Sequence, residues 1–180
     1  MLSLFQKAEQ TPPQILKLNP LVLTAHLAET QTTPLRKTDR KMEKPDVYSW
    51  PGVYPPMQHQ RETAIFLATN QRAFCFNEQG TGKTASSIWA ADCLMEQEII
   101  RRVLIICPLS IMQSAWQADL FKFAVHRKVA VAYGDRLKRR AIIESDADFV
   151  IINYDGVEIV ADAIANGGFD LIIIDEANAY

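Results

Sequence analysis

Two stretches of this sequence hold residues whose types and spacing suit phosphate chemistry. The first, Phe76–Thr84, reads FNEQGTGKT and ends like the G-x-x-x-x-G-K-[ST] loop, except that Asn77 stands where that pattern asks for glycine. Gly80 and Gly82 let the backbone turn tightly and aim N–H groups at phosphate oxygens, helped by the positive end of a following helix. Lys83 would reach the β and γ phosphates, and Thr84 would offer its hydroxyl to magnesium. Gln79 and Thr81 complete the lining of the loop. The second stretch, FDLIIIDEANAY, ends an apolar run in Asp175 and Glu176. Asp175 would hold the metal, and Glu176 would orient and deprotonate the attacking water. Each stretch alone has a plain reading, as a strand-turn-helix junction or as a strand ending in solvated acids. In this order they are the two halves of an ATP site, and they predict ATP and Mg2+ as cofactors.

Such halves need strands and helices to hold them. Five short apolar runs follow one another: AFCF from Ala73, VLIIC from Val103, VAVAY from Val129, FVII from Phe149 and LIIID from Leu171. Helix-compatible stretches follow all but the last. The runs are apolar almost throughout, as expected when helices cover both faces of a parallel sheet. The fold class is therefore α/β, doubly wound around a parallel sheet. Before the first run, PMQHQRETAIFLATN reads as a helix with Pro56 in its first turn and Ile65, Phe66 and Ala68 on its apolar face. Residues 1–55, punctuated by Pro12, Pro13, Pro20, Pro34, Pro45 and Pro51, read as an arm or linker, with a short helix around Leu21–Glu29. Residues 56–180 form the domain.

Composition narrows the function. A chain of 180 residues with a formal charge of -2 and a pI near 5.9 does not coat nucleic acid by bulk positive charge, so any such contact is a local patch. Seven Lys or Arg face one acid between Lys122 and Arg140, either a solvated face or a phosphate-tracking one. Cys75, Cys93 and Cys107 lack metal-ligand spacing and read as reduced core residues. No run reaches the roughly 18 apolar residues of a membrane span, so no membrane partner is expected and the compartment is predicted as cytoplasmic.

The two stretches and the runs between them resemble the superfamily-two helicases and translocases, most closely the Swi/Snf-like remodeller-type ATPases of phage or bacterial kind. The resemblance covers Pro56 to Tyr180. That family's loop reads D-E-M-G-L-G-K-T, so NEQGTGKT departs from the general pattern at Asn77 but fits this branch, and asparagine tolerates unusual backbone dihedrals. The resemblance implies a RecA-like P-loop NTPase sheet, truncated here after the motif II strand. MQHQ is similar to the adenine-reading Q motif, with Gln60 the reader and Gln58 its rival. LIICPLSIMQSAW is similar to motif Ia, which offers Pro108 and Ser110 to nucleic acid, with Ser110 also able to cap the next helix; Trp116 reads as core. VIINYDGVEIV is similar to motif Ib, which suggests Asn153 and Tyr154 as further contacts. Motif II reads DEAN instead of D-E-A-H, and Asn178 cannot titrate as histidine does.

The resemblance also implies a motif III strand between the phosphate-loop strand and the motif II strand, and a second RecA-like lobe bringing arginines. Neither is found before Tyr180. The expectation is an ATP-binding lobe of a DNA-dependent ATPase acting on duplex DNA, slow or inactive by itself and unstable as an isolated chain. The alternative is a non-catalytic module that binds nucleotide or a partner. An unrelated GTPase lacks support because there is no N-K-x-D block, and a small kinase fits the acidic pair less well.

Overall fold

The structure is a computed structural model in which residues 48–176 are described. Its sheet has four parallel strands: β1 Val103–Cys107, β2 Val129–Ala132, β3 Phe149–Asn153 and β4 Leu171–Ile174, in the order β2-β3-β1-β4. Ile105 of the central β1 pairs with Ile151 of β3 and Ile173 of β4, and Val131 of β2 pairs with Ile151 from the other side. Successive side chains leave a strand on opposite faces. Val103, Ile105 and Cys107 therefore enter one core, beneath α1 Gln58–Thr69, α2 Lys83–Glu96 and α3 Ala118–Phe123. Leu104, Val150 and Ile152 enter a second core, closed by α4 Arg136–Ile143, α6 Ala161–Ala165 and the buried Phe169. Both faces are covered, which explains why the strands are apolar without alternation. A short helix α5, Tyr154–Ile159, follows β3 directly.

Three sequence expectations need correction. Ala73–Phe76 is not a strand of the sheet, so four strands are present where five were expected. Ala73 and Cys75 are buried while Phe74 and Phe76 are 40% and 67% exposed, with their rings stacked 6.0 Å apart. The run has the alternation of a strand with one buried face, yet β4 is hydrogen-bonded only to β1, and no strand among the described residues lies next to the run to take its backbone groups. In α1 the fully buried residues are Ala64 and Leu67, with Ala68 packed half-buried against the core, while Phe66, expected on the apolar face, is 49% exposed. Pro56 lies just ahead of that helix, not in its first turn.

The helix expected at Leu21–Glu29 and the motif II residue Asn178 lie outside the described residues. The described end of the predicted arm, residues 48–55, packs on the domain. Tyr48 Oη donates to the buried Asp92 at 2.6 Å, Trp89 Nε1 donates to the Pro51 carbonyl at 2.7 Å, and Val53 N donates to the Lys122 carbonyl at 3.1 Å. Trp50 meets Trp89 edge-on. Burial, and then the neighbouring Asp92 carboxylate, hold the Tyr48 phenol well above the ordinary tyrosine range. Among the described residues no helix is long and apolar enough to cross a membrane. The three cysteines are buried and unpaired with one another.

Candidate nucleotide site

The loop and helix α2 form one unit. Gly80 and Gly82 have φ of 78° and 81°, left-handed values that favour glycine. Gly82 is the residue before α2, so Lys83 becomes the first residue of a 14-residue helix whose Ile88, Trp89 and Ala91 are fully buried. A Cβ on Gly82 would also collide with Gln60 Nε2. The loop closes on itself: Thr81 Oγ1 donates to the Glu78 carbonyl at 2.8 Å, and Lys83 Nζ donates to the carbonyls of Asn77 and Glu78 at 2.8 and 2.9 Å. Thr84 Oγ1 makes no hydrogen bond among the described residues. Gln79 and Gly80 are exposed at the tip.

Helix α1 fastens this loop from one side. Gln60 Nε2 donates to the Thr81 carbonyl at 3.2 Å while its Oε1 accepts from Met57 N at 3.0 Å. His59 Nε2 lies 3.1 Å from the same carbonyl, a residue that sequence reading passed over although it adjoins Gln60. Gln58 bonds instead to Glu62 of the same helix. Asn77 does not have a positive φ, so backbone tolerance is not the reason for it. Its Nδ2 donates to Thr63 Oγ1 at 2.8 Å and ties the loop to α1.

The acidic half sits at the carboxyl end of the sheet. Asp175 N donates to the Ile106 carbonyl at 2.9 Å, extending the β1–β4 ladder by one bond. Asp175 Oδ1 accepts from Glu176 N at 3.0 Å, and Oδ2 accepts from Trp116 Nε1 at 2.8 Å. The Tyr154 hydroxyl donates to the Asp175 carbonyl at 2.6 Å. Glu176 itself has φ of 52°, an unfavourable region for a residue with a side chain, of the kind found at functional sites. Burial pushes the Cys107 thiol up to about 12, and the charges of Asp175 and Glu176 add to the effect. Helix α2 returns to β1 through the short connection 97–102, so it runs opposite to the strand. Its head, with Lys83, therefore faces the same end of the sheet as Asp175.

The residues suggested for nucleic acid divide. Pro108 precedes a single 3₁₀ turn, Leu109–Ile111, and Ser110 is exposed within that turn without capping it. Asn153 is only 3% exposed. Its Oδ1 accepts from Arg139 Nη1 at 2.9 Å and its Nδ2 donates to Asp155, so its amide joins parts of the fold and does not face a ligand. Tyr154 commits its hydroxyl to Asp175 in the same way. Most of the basic run between Lys122 and Arg140 is also taken up locally. Arg139 is buried against the carbonyls of Ala132 and Gly134, Arg136 and Arg140 pair with Asp162, and Lys122 and Lys128 pair with Asp119 and Asp146.

The donors at the loop and at Asp175 fit a magnesium nucleotide. A carboxylate offers about four lone-pair sites, and each Asp175 oxygen has accepted one protein hydrogen bond. Asp92, Glu96 and His126 also bring ligand atoms within 4.8 Å of one another. There, however, Arg127 Nε lies 2.6 Å from the Asp92 oxygen that His126 meets, and Tyr48 takes the other oxygen, so that carboxylate is already neutralised.

A profile of the SNF2-related domain matches residues 59–179. Among solved structures, the Sulfolobus solfataricus SWI2/SNF2 ATPase core in complex with dsDNA is similar at 25% identity and a TM-score of 0.52, over 59% of this chain and 23% of that one. The ATPase core domain from the same organism is similar in fold at 22% identity and a TM-score of 0.51, over 78% of this chain and 26% of that one. The chain thus matches about a quarter of the length of each structure. No curated protein matches it.

Proposed function

Because this chain belongs to the SNF2-related domain family, we propose that it is the ATP-binding lobe of a DNA-dependent ATPase, working within a longer protein that moves on duplex DNA. The observation that carries the reading is the left-handed turn through Gly80 and Gly82, which sets Lys83 at the head of the buried helix α2. Loop N–H groups and the helix end would take the phosphate oxygens, and the Lys83 ammonium would exchange its two loop carbonyls for the β and γ phosphates. Thr84 and Asp175 would hold the magnesium ion, which when bound neutralises charge on the phosphates. Glu176, the strained residue next to Asp175, would orient and deprotonate the attacking water. Gln60, already on the loop, would turn its amide to the adenine edge.

Duplex DNA as the partner is supported by the complex formed by the Sulfolobus relative and by the exposure of Ser110, beside the half-buried Pro108, just beyond the carboxyl end of β1. A second RecA-like lobe would supply arginines. Their absence costs roughly 10³ to 10⁵ in rate, so the chain alone is expected to bind ATP and turn it over very slowly.

The test is a fluorescent-ATP titration of the chain and of Lys83→Ala. Binding that the substitution abolishes is the expected result, and equal affinity in the two proteins would overturn the reading. A DNA-stimulated ATPase assay on this chain and on a longer one then separates a motor lobe from a binding module.

A further inference from the structure

We infer that Trp116 is a positioning residue for the Asp175 carboxylate, and that it links the segment after β1 directly to the metal half of the site. The inference rests on the reading of Asp175 given above and adds a residue which that reading does not use. Trp116 is fully buried and lies within Met112–Gln117, a π-helical stretch between the 3₁₀ turn at Leu109–Ile111 and α3. Such stretches are uncommon and often occur at functional sites. A core tryptophan can satisfy its N–H on any nearby carbonyl. Here the indole N–H meets a carboxylate oxygen across 59 positions of sequence, at 2.8 Å. The bond is charge-assisted and therefore among the stronger ones.

The geometry around Asp175 explains what the bond does. One oxygen is held by Glu176 N and the other by Trp116 Nε1, so rotation of the carboxylate about its last torsion would break one bond or the other. The Tyr154 hydroxyl fixes the carbonyl of the same residue. Asp175 is thus gripped by donors from three places: the π-helical segment after β1, the first residue of α5 after β3, and the next residue in its own chain. Each oxygen keeps lone-pair capacity for a metal or a metal-bound water. Outer donors of this kind orient a metal carboxylate, and their loss typically weakens metal binding or activity by about 10- to 100-fold.

The test is Trp116→Phe in the full 180-residue chain, which keeps a buried aromatic ring and removes the N–H donor together with part of the indole. Fluorescent-ATP affinity is measured with EDTA and then over a range of free Mg2+. Unchanged affinity in EDTA is expected, with a rise of roughly tenfold or more in the Mg2+ needed for half of the metal-dependent tightening. A merely structural role would move both measurements together, and an unaltered Mg2+ dependence overturns the inference. If the wild-type chain binds ATP in a Lys83-dependent way but without any Mg2+ dependence, the metal role of Asp175 fails and the inference falls with it, while the phosphate loop stands. Should the Phe variant not fold, the contact is read in the wild-type chain. The ¹⁵N-labelled indole resonance of Trp116 is expected to shift upfield in Asp175→Asn, and a resonance that stays in place also overturns the inference.

Discussion

Asn77 is the residue at which this loop parts from the general phosphate-loop pattern, and its side chain bonds to Thr63 of α1. A glycine there would restore the general pattern but lose that bond and loosen the chain. We predict that Asn77→Gly lowers stability by about 1 kcal/mol in urea unfolding and does not tighten ATP binding. A variant as stable as the parent, or one with higher ATP affinity, would show that the Thr63 bond is incidental. Much of the site was legible at this scale, because Gly80, Gly82 and Lys83 act through backbone conformation and close sequence spacing. Gln60 was legible as a residue but not as a contact, since its partner Thr81 is brought to it only by the packing of α1 against α2.

At the level of elements, the segment 48–53 is a strap across α2 and α3, where proline content had suggested a loose arm. Its anchor is the Tyr48–Asp92 bond in a buried network with His126 and Arg127. The Tyr48 phenol is held above its ordinary value, so the folded state favours the protonated form. Its contribution is therefore complete below the usual tyrosine value of about 10 and is lost as pH rises above it. Unfolding free energies of the wild-type chain and Tyr48→Phe, taken from urea titrations at pH 8 and upward, should start apart by about 1 kcal/mol and converge above pH 10. Parallel curves would refute the assignment. Helix α4 teaches a related lesson. Its basic run suggested one solvated or phosphate-tracking face, but Arg139 turns inward to Ala132, Gly134 and Asn153 while Arg136 and Arg140 pair with Asp162 outside. Composition counts charges but does not say which side of a helix will find carbonyls.

On the scale of the molecule, the sheet has an unprotected side. β4 is four aliphatic residues bonded only to β1, and its outer N–H and C=O groups have no ladder partner among the described residues. The stacked Phe74 and Phe76 are exposed in the run that was expected to be a strand of this sheet. An uncharged edge strand is a template for pairing with another chain. The isolated chain is therefore predicted to self-associate, with a sedimentation coefficient that rises with concentration. A single monomeric boundary at every concentration would mean that the edge is covered in solution.

Residue types and spacing were enough for the local chemistry: a tight glycine turn into a lysine, an acidic pair at the end of an apolar strand, and buried strands recognisable by their lack of alternation. These follow from interactions between residues close in the chain, where spacing and residue type are sufficient. Which strands share the sheet, with Ala73–Phe76 left out, and which distant side chains meet depended on how the chain packs. Trp116 and Asp175, Arg139 and Asn153, and Tyr48 and Asp92 are joined by bonds spanning 59, 14 and 44 positions. Such partners are chosen by packing. The hydrophobic burial that drives packing has no direction of its own and leaves each buried polar group to bond with whatever the fold brings beside it.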